Sequence, residues 1–245
     1  MRIAVEDVRV RYGTHEVLRG VDLAVAPGEV VAVLGANGCG KSTLLRAIAG
    51  LQPHQGRVRW DGTAGGIGYM PQDNATRAGL TAFEVVLLGR LRSLALRVGQ
   101  ADLAAAESAL AELGIAGLAG RALSDLSGGQ RQLVFLAQVL AGDPRALLLD
   151  EPTSALDIAH QLHVLDLLGA ATRRRGLTTI AVLHDLNAAA RFAGRLVVLH
   201  GGRVLAAGAP AEVLRPDILR TAYGVEAAVM AGPDGAPVVV PLRAA

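Results

Sequence analysis

Several shortages in this chain each exclude something. It holds one cysteine, Cys39, so no internal disulfide can form, which fits a reducing compartment. Aromatic residues make up 3% of a sequence that is 51% hydrophobic, so the core must be built from Ala, Val and Leu. No stretch free of Asp, Glu, Lys and Arg exceeds eleven residues, the length of 132–142. That is too short to span a bilayer, despite a mean hydropathy of +0.38. The first residues, MRIAVEDVRVRYG, contain no apolar core of the kind a secretory signal needs. A net charge of +2 is too small to argue for a nucleic-acid partner, and none is expected. The run Arg173 to Arg175 reads as the solvated end of a helix.

What is present alternates between strand and helix. Ile3 to Val10 and Val17 to Val25 alternate like half-buried strands, with a turn at Gly13-Thr14. Glu29 to Leu34 is a β-branched run suited to a strand covered on both faces. Residues 35–40 form a loop, Lys41 to Ala49 a helix stopped by Gly50, and Arg57 to Trp60 and Ile67 to Met70 short strands. Thr81-Ala-Phe-Glu84 is a capping box opening a helical region that runs to Ala141, with helices at Phe83 to Arg92, Ala101 to Leu113 and about Gly129 to Leu140. Strand signals return at Ala146 to Leu149, Thr178 to Leu183, Leu196 to Leu199 and Val204 to Ala206, the first three separated by helices. This order predicts an α/β fold with a parallel sheet covered by helices on both faces. The tail from Pro210 reads as two short helical pieces and one strand, Val238 to Val240.

The chemistry is concentrated in short motifs. Gly35-Ala36-Asn37-Gly38-Cys39-Gly40-Lys41-Ser42-Thr43 contains G-x-x-x-x-G-K-[ST], which arises by chance about once in a hundred chains of this length. Its glycines let the backbone wrap a phosphate, and the helix beginning at Lys41 presents its amides and positive dipole end. Lys41 supplies a point charge to the β- and γ-phosphates, and Ser42 an oxygen to Mg²⁺. Cys39 reads as a small residue of this loop, and its place beside a helix N-terminus predicts a thiol of lowered pKa. Ala146-Leu-Leu-Leu-Asp150-Glu151 sets two carboxylates at the C-terminal end of an apolar strand, where ligands bind in open α/β sheets. Asp150 suits Mg²⁺, and Glu151 suits a general base for the attacking water. Ser127, Gly128, Gly129 and Gln130, in LSGGQ, form a second anion-binding turn at a helix start.

LSGGQ about twenty residues before that strand resembles the signature of ABC ATPases. The resemblance covers nearly the whole chain. It implies a P-loop NTPase (RecA-like) core with an N-terminal antiparallel β subdomain and an inserted α-helical subdomain. The chain would be one ABC ATPase domain, with residues 1–77 and 145–208 as the core, 78–144 as the helical signature subdomain and 209–245 as a C-terminal extension. The family's roles transfer by position: Tyr12 stacks on adenine, and Gln72 in YMPQD touches Mg²⁺ and the water and begins the segment facing the membrane partner. Asp157, ending Ser154-Ala-Leu-Asp157, lies in the loop that signals between sites, and His184 contacts the γ-phosphate. His160 and His163 read as ordinary helix residues.

The resemblance further implies ATP and Mg²⁺ as cofactors. Two chains, a homodimer or a pair with a second ATPase chain, would sandwich ATP, with Ser127 to Gln130 of one closing over the nucleotide of the other. Separate transmembrane permease subunits are required, a periplasmic or lipid-anchored substrate-binding protein acts indirectly, and the chain sits at the cytoplasmic face of the membrane. LDIAHQLHVLDLL, VLHDLNAAARFAGRLVVL and LRTAYGVEAAVMAGPDGAPVVVPL are similar to the ATPases of iron–siderophore, haem and cobalamin importers. Residues 80–97 depart from the commonest siderophore pattern. The alternative cargo is zinc, manganese or another small solute. A soluble ABC regulator and a small-molecule kinase are the competing classes, and LSGGQ disfavours the kinase.

Overall fold

Alternating apolar residues lay down the first strands. The computed structural model describes residues 1–61, 66–72, 79–90, 98–154 and 156–245. β1 (Arg2–Tyr12) pairs antiparallel with β2 (His15–Val25). Its buried positions are Ile3, Val5, Val8 and Val10, so the alternation slips once. The slip is a bulge at Asp7, whose φ is +46° and whose amide donates to Asp22 Oδ1 at 2.8 Å. β3 (Val30–Leu34) is buried from Val31 onward, and α1 (Lys41–Ile48) follows it after the glycine loop. β4 (Gln55–Asp61) then pairs antiparallel with the free edge of β1.

Two compact units divide the chain: Met1–Thr63 with Thr178–Ala245, and Ala64–Leu177. The second begins with β5 (Ile67–Met70) and α2 (Ala82–Leu87), which Thr81 and Glu84 cap reciprocally. A single 3-10 turn, Leu88–Arg90, continues α2, so the helix expected over Phe83 to Arg92 ends early; its residues 91 and 92 lie outside the described residues. α3 (Gln100–Glu112) and α4 (Gly128–Ala141) pack together, and β6 (Ala146–Asp150), buried throughout, runs parallel to β5. α5 (Ile158–Arg175) closes this unit.

The arginines that end α5 are not simply solvated, as their run suggested. Arg174 and Arg175 both pair with Glu112 at the end of α3, whose side chain is 12% exposed, and Arg175 also donates to the Leu140 carbonyl at 2.9 Å. Guanidinium forks suit such a shared carboxylate. Burial alone would raise the Glu112 pKa, but the hydrogen bonds and charges of Arg175 and Arg174 outweigh it and hold the carboxyl below its ordinary range.

Back in the first unit, β7 (Thr178–Val182) lies parallel on one side of β3. α6 (Leu186–Phe192) leads to β8 (Arg195–His200), parallel on the other side, so β3 is central, as its apolar run suggested. β9 (Arg203–Gly208) turns back antiparallel on β8 through Gly201 and Gly202, both with positive φ. α7 (Pro210–Val213) and α8 (Pro216–Tyr223) follow. The tail then forms a hairpin, β10 (Val225–Ala231) with β11 (Pro237–Ala244), where one strand was expected. β10 escaped notice because Ala227, Ala228 and Ala231 are poor strand formers. The outer edge of β11 is held by Asn187 of α6, whose Oδ1 accepts the Val239 amide at 2.7 Å and whose Nδ2 donates to the Val239 carbonyl at 3.3 Å.

Because its pKa is lowered on folding, Glu112 stabilises the protein above the ordinary carboxylate range, and that contribution is lost as pH falls through its folded value. Glu112→Gln is expected to lose about 1–3 kcal/mol of unfolding free energy at pH 7. Denaturant titrations at successively lower pH should show the gap to wild type narrowing. A gap that stays constant with pH would exclude the ion pairs as its cause.

Candidate functional site

In the first unit, β3 delivers the glycine loop at its C-terminal end. Gly35 has φ +143°, and a Cβ there would overlap the Leu199 carbonyl and come within 2.7 Å of Cys39 Sγ. Gly40, the residue before α1, has φ +105°, and its Cβ would meet Leu18 at 2.7 Å. Only glycine fits either place. Among the described residues no side chain caps α1, and no acidic residue occupies its first turn, so its dipole favours an anion there. Lys41 is the only lysine of the sequence. Its side chain lies back along the loop, donating to the carbonyls of Gly35 at 2.8 Å and Ala36 at 3.0 Å. Ser42 is half-buried and Thr43 buried.

Parallel register sets the next residue. Val33 is level with Val182, so His184, two residues beyond, stands in step with Gly35, two residues beyond Val33. It is exposed at this strand end. Tyr12 ends β1 as a residue 46% exposed, its hydroxyl donating to Gln52 Oε1 at 2.7 Å. That leaves an aromatic face in solvent, held from one end.

Cys39 corrects an expectation. Desolvation by burial raises its pKa, and the Lys41 charge and the backbone amides of Lys41 and Cys39 offset this only partly. The helix N-terminus therefore does not make this thiol acidic, because the loop packs it out of water. A residue that sequence reasoning missed, Tyr223 at the end of α8, also meets this loop. Burial pushes its phenol up to about 12, against a hydrogen bond from the Gly35 backbone, with Cys39 nearby. No local pattern links residue 223 to residue 35; only the fold does.

In the second unit the same register logic recurs. Met70 is level with Leu149, so Gln72 and Glu151, each two residues on, stand together. Gln72 Nε2 donates to Glu151 Oε2 at 2.8 Å. Asp150, closing β6, is fully buried. Glu151 has φ +54°, a left-handed conformation that costs a non-glycine residue about 1–3 kcal/mol and marks functional positions.

LSGGQ is, physically, a capping box. Ser127 Oγ accepts the Gln130 amide at 3.3 Å, and Gln130 Oε1 accepts the Ser127 amide at 3.1 Å. The first turn of α4 carries no acidic residue, and Arg131 Nη1 donates to the Leu126 carbonyl at 2.6 Å. Asp157 caps α5 by accepting the His160 amide at 2.8 Å. Hydrogen bonds from the His160 backbone and ring hold its carboxyl below the usual range. The oxygen donors on Ser42, Gln72 and Asp150 are the hard ligands Mg²⁺ prefers.

The family model for ABC transporters matches residues 18–154. The chain belongs to that family. The ABC ATPase is 44% identical to the hemin import ATP-binding protein HmuV of Myxococcus xanthus, over 98% of this chain and 97% of the relative. It is 38% identical to the ferric enterobactin transport ATP-binding protein FepC of Escherichia coli K12, over 98% and 94%. A solved ABC transporter in an inward-facing conformation superposes with TM-score 0.89 at 30% identity, covering 98% of this chain and 97% of that one. The fold is thus the ABC ATPase P-loop fold, α/β with antiparallel β and helical subdomains, and the activity is ATP binding and hydrolysis coupled to transport. Among the described residues no helix is long and apolar enough to cross a membrane. The chain's family likeness implies association with a permease.

The half-buried thiol, its pKa raised, leads to a direct test. A maleimide should label Cys39 in the native ABC ATPase at least tenfold more slowly than in the urea-unfolded chain at the same pH. Equal rates would mean the thiol is neither shielded nor raised in pKa.

Proposed function

We propose that this ABC ATPase powers import of an iron chelate, with haem and ferric siderophores as the cargo class. Full-length similarity to the hemin and ferric enterobactin ATPases carries the reading. Cobalamin, named on sequence resemblance, is a cobalt chelate and shares only the broader metal-chelate class. The chain acts at the cytoplasmic face of the membrane as a homodimer or beside a second ATPase chain. A periplasmic or lipid-anchored binding protein hands cargo to the permease.

The residues divide the work. Tyr12 stacks on adenine. The amides of residues 35–43 and the Lys41 ammonium hold the β- and γ-phosphates. Lys41 must exchange the Gly35 and Ala36 carbonyls for phosphate oxygens, so loop and ligand compete for one cation. Ser42, Asp150 and Gln72 would hold Mg²⁺, which would supply charge neutralisation for the phosphates. Glu151 takes a proton from the attacking water, its carboxylate oriented by the Gln72 amide. His184 donates to the γ-phosphate as charge develops. Ser127 to Gln130 bring the amides of α4 to the ATP held by the partner chain, and Asp157 reports between the two sites. Residues 78–144 act as the signature subdomain, and the segment after Gln72 transmits closure to the permease. ATP drives closure because it binds the closed pair better than the open one.

Glu151→Gln tests the assignment. It should bind ATP, form an ATP-dependent dimer by size-exclusion chromatography, and lose 10²-fold or more in turnover, the share a general base supplies. Near-wild-type hydrolysis would remove Glu151 from this role. In vesicles holding the copurifying permease and binding protein, haem or a ferric siderophore should stimulate hydrolysis, and stimulation by neither would remove the cargo class.

A further inference from the structure

The two glycines of LSGGQ stand in different surroundings. Neither has a positive φ, so the backbone demands glycine at neither place. Among the described residues a Cβ on Gly128 would meet only Leu156, at an ordinary 3.9 Å. A Cβ on Gly129 would come within 2.9 Å of His160 Cδ2 and 3.3 Å of Cγ. The Cδ2–Cγ edge of the α5 imidazole therefore lies against the start of α4, in the space a side chain would take.

The other edge of the ring is tied as well. His160 Nδ1 lies 2.8 Å from both Oδ1 and Oδ2 of Asp157, and the His160 amide donates to the same carboxylate. Asp157, with its lowered pKa, is ionised at neutral pH, so Nδ1 carries the proton and the ring orientation is set. One side chain thus touches both the helix start of the signature and the aspartate of the following turn. Contact between packed groups of this kind is what lets two segments move together.

We infer that His160 is a positioning residue that fastens the Asp157 turn to the Ser127–Gln130 helix start, so that the two motifs approach the partner's nucleotide as one body. The inference rests on the proposed pairing of two chains around ATP. Gly129 is glycine here to seat the ring, whereas among the described residues nothing crowds Gly128. Removing the ring leaves the signature amides intact but uncoupled from Asp157.

A double-mutant cycle on turnover tests this. Gly129→Ala should cut kcat tenfold or more in the wild-type background and less than about threefold in a His160→Ala background, because the clash has then gone. His160→Phe, which keeps the ring and loses Nδ1, should lower kcat about tenfold. His160→Asn, whose amide nitrogen can replace Nδ1 toward Asp157, should recover most of it. Binding of a fluorescent ATP analogue to the single chain should stay within twofold in every His160 variant, since the glycine loop is untouched. Equal costs of Gly129→Ala in both backgrounds, or equal losses in His160→Phe and His160→Asn, would overturn the inference. The pairing itself is read separately. If Glu151→Gln fails to dimerise with ATP, the dimer reading falls, whereas if it dimerises equally well with and without His160→Phe, only the role of His160 falls.

Discussion

A helix that is to hold a phosphate must begin without a carboxylate of its own. Backbone amides at a helix start need partners, and most helices supply them from nearby side chains. α2, α5 and α6 do so with Thr81, Asp157 and Asp185. α1 does not: it begins at Gly40, with no side-chain cap and no acid in its first turn. α4 is intermediate, since the neutral pair Ser127 and Gln130 satisfies some amides without adding negative charge. The two uncharged helix starts are those expected to receive ATP phosphates. Much of the surrounding architecture serves to present them.

Presentation is a matter of strand register. In each unit two parallel strands run level, and the residues just past their ends become neighbours without any local sequence relation. β3 and β7 set Gly35 level with His184; β5 and β6 set Gln72 beside Glu151. The left-handed φ of Glu151 ends the strand abruptly and sets its carboxylate against the Gln72 amide. Parallel sheets are covered on both faces, so this precision is held by buried Val, Leu and Ile rather than by charge.

The fold was legible where the pattern was local. Val30–Leu34 and Ala146–Asp150 read as buried strands because they are continuous apolar runs, and Thr81-x-x-Glu84 read as a capping box because its two partners lie one turn apart. β10 was not legible, because its alanines carry no strand signal and only pairing with β11 makes it a strand. The fate of Arg174 and Arg175 was likewise invisible, since their partner Glu112 lies sixty-odd residues earlier. For the site, the residue types and spacings of the glycine loop, LSGGQ and the apolar-DE strand marked their own positions. The environment of Cys39 was misjudged because a helix N-terminus is a sequence feature, while desolvation is a property of the packed loop.

The sequence by itself determined the chemical inventory: a lone lysine and a lone cysteine in one glycine loop, two carboxylates after an apolar strand, and a Ser-x-x-Gln helix start. It also determined family membership, because those motifs occur in order along nearly the whole chain. Tertiary structure alone decided which groups meet. Tyr223 bonds to the Gly35 backbone, Glu112 is shared by two arginines, and the His160 ring lies between Asp157 and Gly129. The physical reason is the same in each case. A residue type and its near neighbours are written in one dimension, whereas desolvation, shared ion pairs and van der Waals contact depend on groups that only the folded chain brings together.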